Sequence, residues 1–280
     1  MTRLRHKGFT LTELLVAMTL MAFVGLALTR MLINDSRFVS KVEAMMNARQ
    51  AARAAMNTMG VELRMVSDEG LVAADSTDIT VRAPYAFGLL CAMASATERM
   101  VVTIPTDSLM YASASADGIA WQDNYGNYAT MTLTSIADGN PATELTHCTT
   151  EGITVPTGGN LYKLVVTSDT MAVGSVFYFY QTLRYRFTSS IDVPGSIGLF
   201  RTLGSGTEEE ILAPFDASAR FAFFVGSSDT ASTVPPADLS TVSGLELWLV
   251  GESELVPEGE TEPETFSLRT RIDFLNVENR

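Results

Sequence analysis

Histidine, cysteine and positive charge are scarce in this 280-residue chain, and each shortage argues against a class of function. Two histidines and two cysteines leave few side chains that could act as a catalytic base, a nucleophile or a zinc ligand. Lysine and arginine total 19 against 32 acidic residues, which gives a formal charge of −13. Because a nucleic-acid groove needs clustered basic residues, so acidic a chain is not expected to bind nucleic acid.

Motifs for catalysis are also missing. There is no glycine-rich phosphate loop of the P-loop or dinucleotide type. His147 with Cys91 and Cys148 could supply three zinc ligands, but their spacing matches no compact zinc site. The oxygen-rich residues 123–127 could hold calcium, yet they lack the regular acidic alternation of an EF-hand and are interpreted as a turn. We therefore predict no enzymatic activity, no metal and no cofactor.

Helix-breaking residues are nearly absent from the first quarter of the chain. No proline precedes Pro84, and no glycine lies between Gly25 and Gly60, so a helix over residues 9–66 meets no obvious interruption. Such a helix would be roughly 87 Å long, which is too long for one membrane span. We therefore divide it into an apolar half, residues 9–33, and an amphipathic half, residues 34–66.

The amphipathic half carries an apolar stripe at spacings of three and four residues. Arg49 occupies its one discordant position. A methionine-rich stripe could serve as a promiscuous partner-binding face, but at this spacing we expect it to pack as core against a sheet. The stripe consists of Phe38, Val42, Met45, Ala52, Met56, Met59 and Leu63.

The start of the chain holds its one membrane-length apolar run. Three basic residues precede Gly8, and residues 9–33 follow, with Glu13 as an early carboxylate. Twenty-five residues reach roughly 37 Å as a helix, enough to cross about 30 Å of hydrocarbon. An ordinary secretory signal is cut after a shorter apolar core. A cut beside Gly8 would instead leave the anchor on the mature chain.

The string KGFTLTELLVA, residues 7–17, resembles the class III leader junction of type IV pilins and type II secretion pseudopilins. The resemblance implies that a prepilin peptidase cuts between Gly8 and Phe9 and methylates the new amine of Phe9. It also implies that Glu13 pairs with the terminal amine of a neighbouring subunit during assembly. A carboxylate in lipid costs roughly 2.5–3.5 kcal/mol, and a staggered partner that supplies an ammonium would relieve that cost.

The same resemblance predicts a location and a set of partners. Loss of the leader, residues 1–8, removes three basic residues and lowers the formal charge from −13 to −16. The basic leader should stay cytoplasmic, so the precursor would be a single-pass inner-membrane protein with an extracytoplasmic C-terminal domain. After assembly it would belong to a cell-surface pilus or a periplasmic pseudopilus. The implied partners are the prepilin peptidase, other major and minor pilins or pseudopilins, and the inner-membrane assembly platform.

The two cysteines fall in the part of the chain expected outside the cytoplasm. Oxidising conditions there permit a disulfide between Cys91 and Cys148. In the chain-entropy model, closing that loop stabilises by about 4 kcal/mol. A pair of unlinked buried thiols is the alternative, and the sequence leaves both open.

Beyond residue 66 the chain changes to short runs rich in Val, Ile, Thr, Phe and Tyr, separated by turn residues. The last run alternates apolar and polar residues, as expected of an antiparallel sheet with one wet face. We predict an α+β fold in which a long N-terminal transmembrane and stalk helix packs on an antiparallel β-sheet domain, residues 67–280. Candidate strands are 78–82, 99–104, 129–134, 161–167, 176–187, 196–202, 220–225, 245–250 and 265–275.

The remaining segments are predicted to be loops. Residues 85–97 are apolar and rich in small side chains, which suggests a helix or a covered loop around Cys91. Residues 107–128 and 227–243 are rich in polar and turn-forming residues. Residues 252–264 hold six glutamates and no basic residue, which predicts an exposed acidic hairpin loop.

A second, looser resemblance concerns the domain. The aromatic and basic pattern of residues 178–186, the strand at 199–201 and the closing strand at 266–271 are similar to the J-type minor pseudopilin or PilW-type minor pilin layout. This implies a low-abundance subunit near a filament tip, although Glu13 sets it apart from the K-type tip pseudopilin. Pilus and secretion system both stay open. The alternatives are a filament-displayed adhesin or DNA-capturing module that uses residues 121–128, and a membrane-anchored enzyme.

Overall fold

A computed structural model describes residues 10–67, 69–107, 116–122, 128–139, 143–166 and 171–274. A long helix, α1 (Leu11–Leu63), precedes a sheet domain that contains a short helix, α2 (Leu145–Thr150). The predicted α+β fold, a long apolar N-terminal helix packed on a large antiparallel sheet, is confirmed. The strands are β1 Leu71–Ala74, β2 Asp78–Met93, β3 Glu98–Thr103, β4 Gly118–Gln122, β5 Tyr128–Thr132, β6 Ser135–Asp138, β7 Asn160–Val165, β8 Val176–Ser189, β9 Ile197–Leu203, β10 Glu209–Phe215, β11 Arg220–Val225, β12 Val242–Glu252 and β13 Thr265–Asp273.

The described strands join into one thirteen-stranded antiparallel sheet. Its main order is β11, β12, β10, β9, β8, β2, β3, β7, β6. Strand β13 flanks β12, β1 flanks β2, and β4 lies between β8 and β5. The two long central strands, β2 and β8, pair from Asp78 opposite Arg186 to Leu89 opposite Val176, and so connect the two ends of the sheet.

A β-bulge in β2 lies between Pro84 and Ala86. The bulge inserts one extra residue into β2. Val81, before the bulge, and Ala86, after it, therefore have their side chains on the same face of the sheet, opposite Leu183 and Phe179. The prediction of a helix or covered loop over residues 85–97 is therefore wrong, because β2 continues to Met93. Proline is tolerated at a bulge, where ladder pairing is already interrupted, so Pro84 does not end the strand.

Eight predicted strands correspond to β3, β5, β7, β8, β9, β11, β12 and β13, and the ninth corresponds to the first part of β2. The sequence reading missed β1, β4, β6, β10 and α2. Each of these spans only four to seven residues. One of them, β4, lies inside the segment predicted as a loop over 107–128. Segments of this length carry weak periodicity, so the sequence distinguished only some of them, such as β3 and β11, from loops.

The second half of α1 packs on β10, β12 and β13 and closes the larger core. Its buried face is made mainly of small side chains: Ala44, Ala48, Ala52, Ala55, Met59 and Leu63. The predicted stripe is therefore only partly right, because Phe38, Val42 and Met45 are exposed in the single chain. Arg49, the discordant residue, stacks over the Phe266 ring at 4.9 Å.

A close approach of two backbones explains the alanine face. A methyl group added to Gly251 of β12 would collide with the carbonyl oxygen of Ala48. The helix can approach the sheet this closely only because Gly251 has no side chain. The helical period could not reveal this requirement, because Gly251 is about 200 residues away along the chain.

Among the described residues, the other end of the sheet holds three further clusters, of which two are larger. One is centred on Phe177 and Phe179 of β8, whose rings meet edge to face at 5.1 Å. The other surrounds Cys91 and Cys148 and lies between α2, β2, β3 and β7. Neither cluster includes a residue of α1.

Candidate functional site

The first half of α1 is the most exposed apolar surface in the described chain. The helix is long and apolar enough to cross a membrane, and no residue of its most apolar window is buried. Phe23, for example, is 72% exposed. The protein alone does not cover this surface, so lipid or neighbouring helices must cover it.

Glu13 lies in the first turn of α1, where it forms a capping box with Thr10. The Glu13 N–H donates to Thr10 Oγ1 at 3.3 Å. In return, Thr10 N and Thr10 Oγ1 donate to Glu13 Oε2 at 3.0 Å and 2.9 Å. The positive end of the helix dipole also stabilises a carboxylate in this first turn. In the single chain, Glu13 is therefore bonded to its own helix.

The sequence reading missed Thr10, although the T-x-x-E spacing before an apolar run is a recognisable cap signal. The predicted processing residues, Gly8 and Phe9, lie outside the described residues. The structure therefore places Glu13, but it does not place the amine with which Glu13 is expected to pair.

The C-terminal end of α1 is fastened to the sheet by Glu62. Its carboxylate accepts hydrogen bonds from the Tyr185 hydroxyl on β8 and from Arg201 Nη2 on β9. Burial and the hydrogen bond to Glu62 raise the pKa of Tyr185, which keeps the hydroxyl protonated as a donor. No local pattern signals this triad, because its residues belong to three separate elements.

The acidic hairpin loop between β12 and β13 lies against α1 just beyond its apolar half. Lys41 Nζ is 3.1 Å from Glu260 Oε1 and 3.1 Å from Glu264 Oε1. Ser36 Oγ donates to Glu258 Oε2 at 2.9 Å. Hydrogen bonds from Lys41 to Glu264 and Glu260 raise the pKa of that lysine. The loop is exposed as predicted, and α1 supplies the basic residue that its own sequence lacks.

A disulfide joins Cys91 of β2 to Cys148 of α2, with Cα atoms 4.9 Å apart. Both cysteines are fully buried, while His147 beside them is exposed. Because the thiols are bridged, they are not available to the hypothetical zinc site. Among the residues that the structure describes, no three His, Cys, Asp or Glu side chains are grouped as metal ligands.

The loop that would serve an adhesin, a DNA-capturing module or a calcium site is mostly outside the described residues. Trp121 on β4 is buried, and residues 123–127 are not described. Those alternatives therefore gain no structural support.

Comparison with known proteins adds one finding. Residues 3–29 match the family model described as the prokaryotic N-terminal methylation motif. The match spans the leader junction, Glu13 and most of the apolar half of α1. It supports the type IV pilin and pseudopilin family, with processing by prepilin peptidase and assembly with other pilins, and it indicates a structural subunit. No curated protein and no solved structure matches the chain.

Proposed function

We propose that this chain is a minor structural subunit of a type IV pilus or a type II secretion pseudopilus, assembled through α1 near the filament tip. The observation that carries the proposal is the methylation motif at residues 3–29, which extends into the exposed, membrane-length apolar half of α1. A filament core of packed helices would cover this surface, and a large sheet domain would remain outside.

The hydrogen bonds that Glu13 makes within its own chain leave it able to accept a further donor during assembly. The cap from Thr10 supplies one backbone donor and one hydroxyl donor to a single carboxylate oxygen. An ionised carboxylate accepts more bonds than this, and a charged donor binds it more strongly than a neutral one. A methylated Phe9 amine from a neighbouring subunit would therefore stabilise Glu13 beyond its own cap. Peptidase cleavage after Gly8 creates that amine.

The finer proposal, a J-type pseudopilin or PilW-type pilin, rests on the domain. The three segments that carry this resemblance fall on β8, β9 and β13. The large domain suits a subunit that ends a filament, because there is less need to fit between identical neighbours. We propose an inner-membrane precursor with its leader in the cytoplasm and its sheet domain outside.

The test is the fate of Glu13→Ala in cells that assemble the filament. We expect normal membrane insertion and leader cleavage, but at least a tenfold loss of the chain from sheared filaments. Immunoblots of membrane and sheared fractions measure both. Glu43→Ala is a matched control, because Glu43 is an exposed glutamate of the same helix outside its apolar half. It should assemble normally.

Two outcomes would contradict the proposal. Normal incorporation of Glu13→Ala would remove Glu13 from assembly. N-terminal sequencing of the mature wild-type chain is expected to begin at Phe9. A mature terminus beyond Glu13 would show that the chain does not retain its anchor.

A further inference from the structure

Strand β13 is a long edge strand with one side open. It spans nine residues, Thr265–Asp273, and pairs with β12 throughout without a register shift. Among the described residues, no strand pairs with its other side. The edge strands β5 and β6 at the opposite end of the sheet have only five and four residues. A long regular edge is a ready template for another strand.

The hydrogen bonds at the two ends of β13 show which of its backbone groups face outward. Ser253 N donates to the Glu264 carbonyl at 2.8 Å, and Phe274 N donates to the Ser243 carbonyl at 3.1 Å. Both pairs follow the register of the strand, and in an antiparallel ladder every second residue bonds to the same neighbour. The even-numbered residues of β13 therefore bond to β12. The odd-numbered residues turn their N–H and C=O groups to the open edge.

The odd-numbered side chains lie on the sheet face opposite α1, next to an unusual stack. Trp248 of β12 is paired with Arg220 of β11 on one side and Arg269 of β13 on the other. The two guanidinium groups lie over its ring at 4.1 Å and 3.9 Å. Stacking uses the faces of a guanidinium group and leaves its N–H edges available for carboxylates.

Arg269 and Arg271 differ in their ion pairs within the chain. Arg271 forms ion pairs with Asp273 at 2.6 Å and with Asp229 at 3.3 Å. Arg269 forms no ion pair with any described residue, although it is exposed. The open edge thus presents a rigidly held cation on a chain whose overall charge is strongly negative.

We propose that β13 accepts an extended acidic segment of another protein as an added strand, with a carboxylate of that segment against Arg269. Backbone bonds would come from the outward groups of the odd-numbered residues, and the charge pair would select the sequence. The identity of the segment as part of another filament subunit rests on the proposed function. The proposal that β13 accepts a strand does not rest on it.

A second copy of this chain fits the edge less well in the antiparallel registers that overlap the two strands most. Pairing centred on Arg269 would place the two copies of Arg269 opposite each other, and pairing centred on Thr270 would place Arg269 of each copy opposite Arg271 of the other. Like charges directly opposite each other destabilise a strand pair. An acidic strand in the same position would meet Arg269 with the opposite charge.

The experiment uses the full chain in nonionic detergent and a fluorescent, end-capped nine-residue peptide of alternating threonine and glutamate. Binding is measured by fluorescence anisotropy at low salt, and a threonine–lysine peptide serves as the control. We expect the glutamate peptide to bind at least tenfold more tightly than the lysine peptide. Arg269→Glu should reverse this order, and since Arg269 is exposed, the variant should fold.

Ser267→Pro tests the backbone part of the proposal. Residue 267 turns its N–H to the open edge, so proline removes an outward donor without removing a bond to β12. We expect Ser267→Pro to lower peptide binding at least tenfold and Ser267→Thr to leave it unchanged. Circular dichroism checks that both variants fold.

Several results would overturn the inference. These are no peptide binding, equal binding of both peptides, unchanged preference in Arg269→Glu, or full binding by a folded Ser267→Pro variant. Self-association that Arg269→Glu abolishes would assign the edge to a second copy instead. None of these results bears on Glu13 or on filament assembly, so the proposed function would stand or fall separately.

Discussion

The two ends of the sheet are stabilised in different ways. At one end, α1 covers β10, β12 and β13, and its buried alanines bring two backbones together at Gly251. At the other end, the described residues include no long helix, and a disulfide fastens the short helix α2 to β2. Packing of a long helix therefore holds one end, whereas hydrophobic clusters and a covalent bond together hold the other.

The difference shows which end of the sheet is mechanically coupled to the exposed apolar half of α1. The helix-backed end is continuous with the apolar half of α1, so any displacement of the stalk acts on its core directly. The disulfide end shares only β2 and β8 with that core. It can tolerate variation or contact partners without disturbing the helix, provided that the disulfide keeps it folded.

The largest effect is expected from removing the disulfide with Cys91→Ala/Cys148→Ala. Freeing a 57-residue loop should lower the free energy of unfolding by about 4 kcal/mol in the chain-entropy model. Urea unfolding of the full chain in detergent, followed by tryptophan fluorescence, measures the change. Reductant should destabilise the wild type and leave the variant unaffected. Equal midpoints for the two proteins without reductant would show that packing alone holds this end.

At the helix-backed end, Gly251→Ala should lower the free energy of unfolding by about 1–3 kcal/mol, because the new methyl group forces α1 away from β12. Gly60→Ala is the matched control. It lies on α1 with open space around its Cα, and alanine there should be neutral or stabilise by about 0.5–1 kcal/mol. Equal effects of the two substitutions would contradict the close backbone approach.

A smaller effect is expected from Tyr185→Phe, which removes one of the two bonds to Glu62. The loss should be about 1–2 kcal/mol near neutral pH. The folded state raises the pKa of Tyr185 above its ordinary value of 10, so its contribution is complete below pH 10 and falls as the pH rises further. The difference in unfolding free energy between wild type and Tyr185→Phe should therefore shrink above pH 10. A difference independent of pH up to 12 would contradict the assignment.

The smallest effect is expected from Lys41→Ala. Its ion pairs with Glu260 and Glu264 are at the surface, and exposed pairs contribute little to global stability. We expect an unchanged urea midpoint, but faster hydrogen exchange in the hairpin loop between β12 and β13. Unchanged exchange in the loop would show that the Ser36 contact is sufficient to hold it.

The sequence predicted the elements that have a long period. The uninterrupted helix and the strand alternation of β8 and β13 were visible because each extends over nine or more residues. The residues that position the helix were not predictable, because their partners are distant along the chain. Ala48 depends on Gly251, and Glu62 depends on Tyr185. The bulge after Pro84 was missed for a different reason, since a strand that continues past a proline looks locally like one that ends there.

The residues of the candidate site also divide into those that a local motif predicts and those that depend on distant partners. Gly8, Phe9 and Glu13 were predicted from a contiguous motif, and Thr10 could have been found by its spacing to Glu13. The cation on the open edge of β13 was not visible, because it depends on Trp248 in the neighbouring strand.

The contact between Ala48 and Gly251 also has a mechanical consequence. Backbone atoms of the stalk rest on backbone atoms of the sheet, with no flexible side chain between them. A force along α1 is therefore transmitted to the sheet at this contact without the compliance that an intervening side chain would add. In the position proposed near a filament tip, such a contact would resist bending between the helix and the sheet.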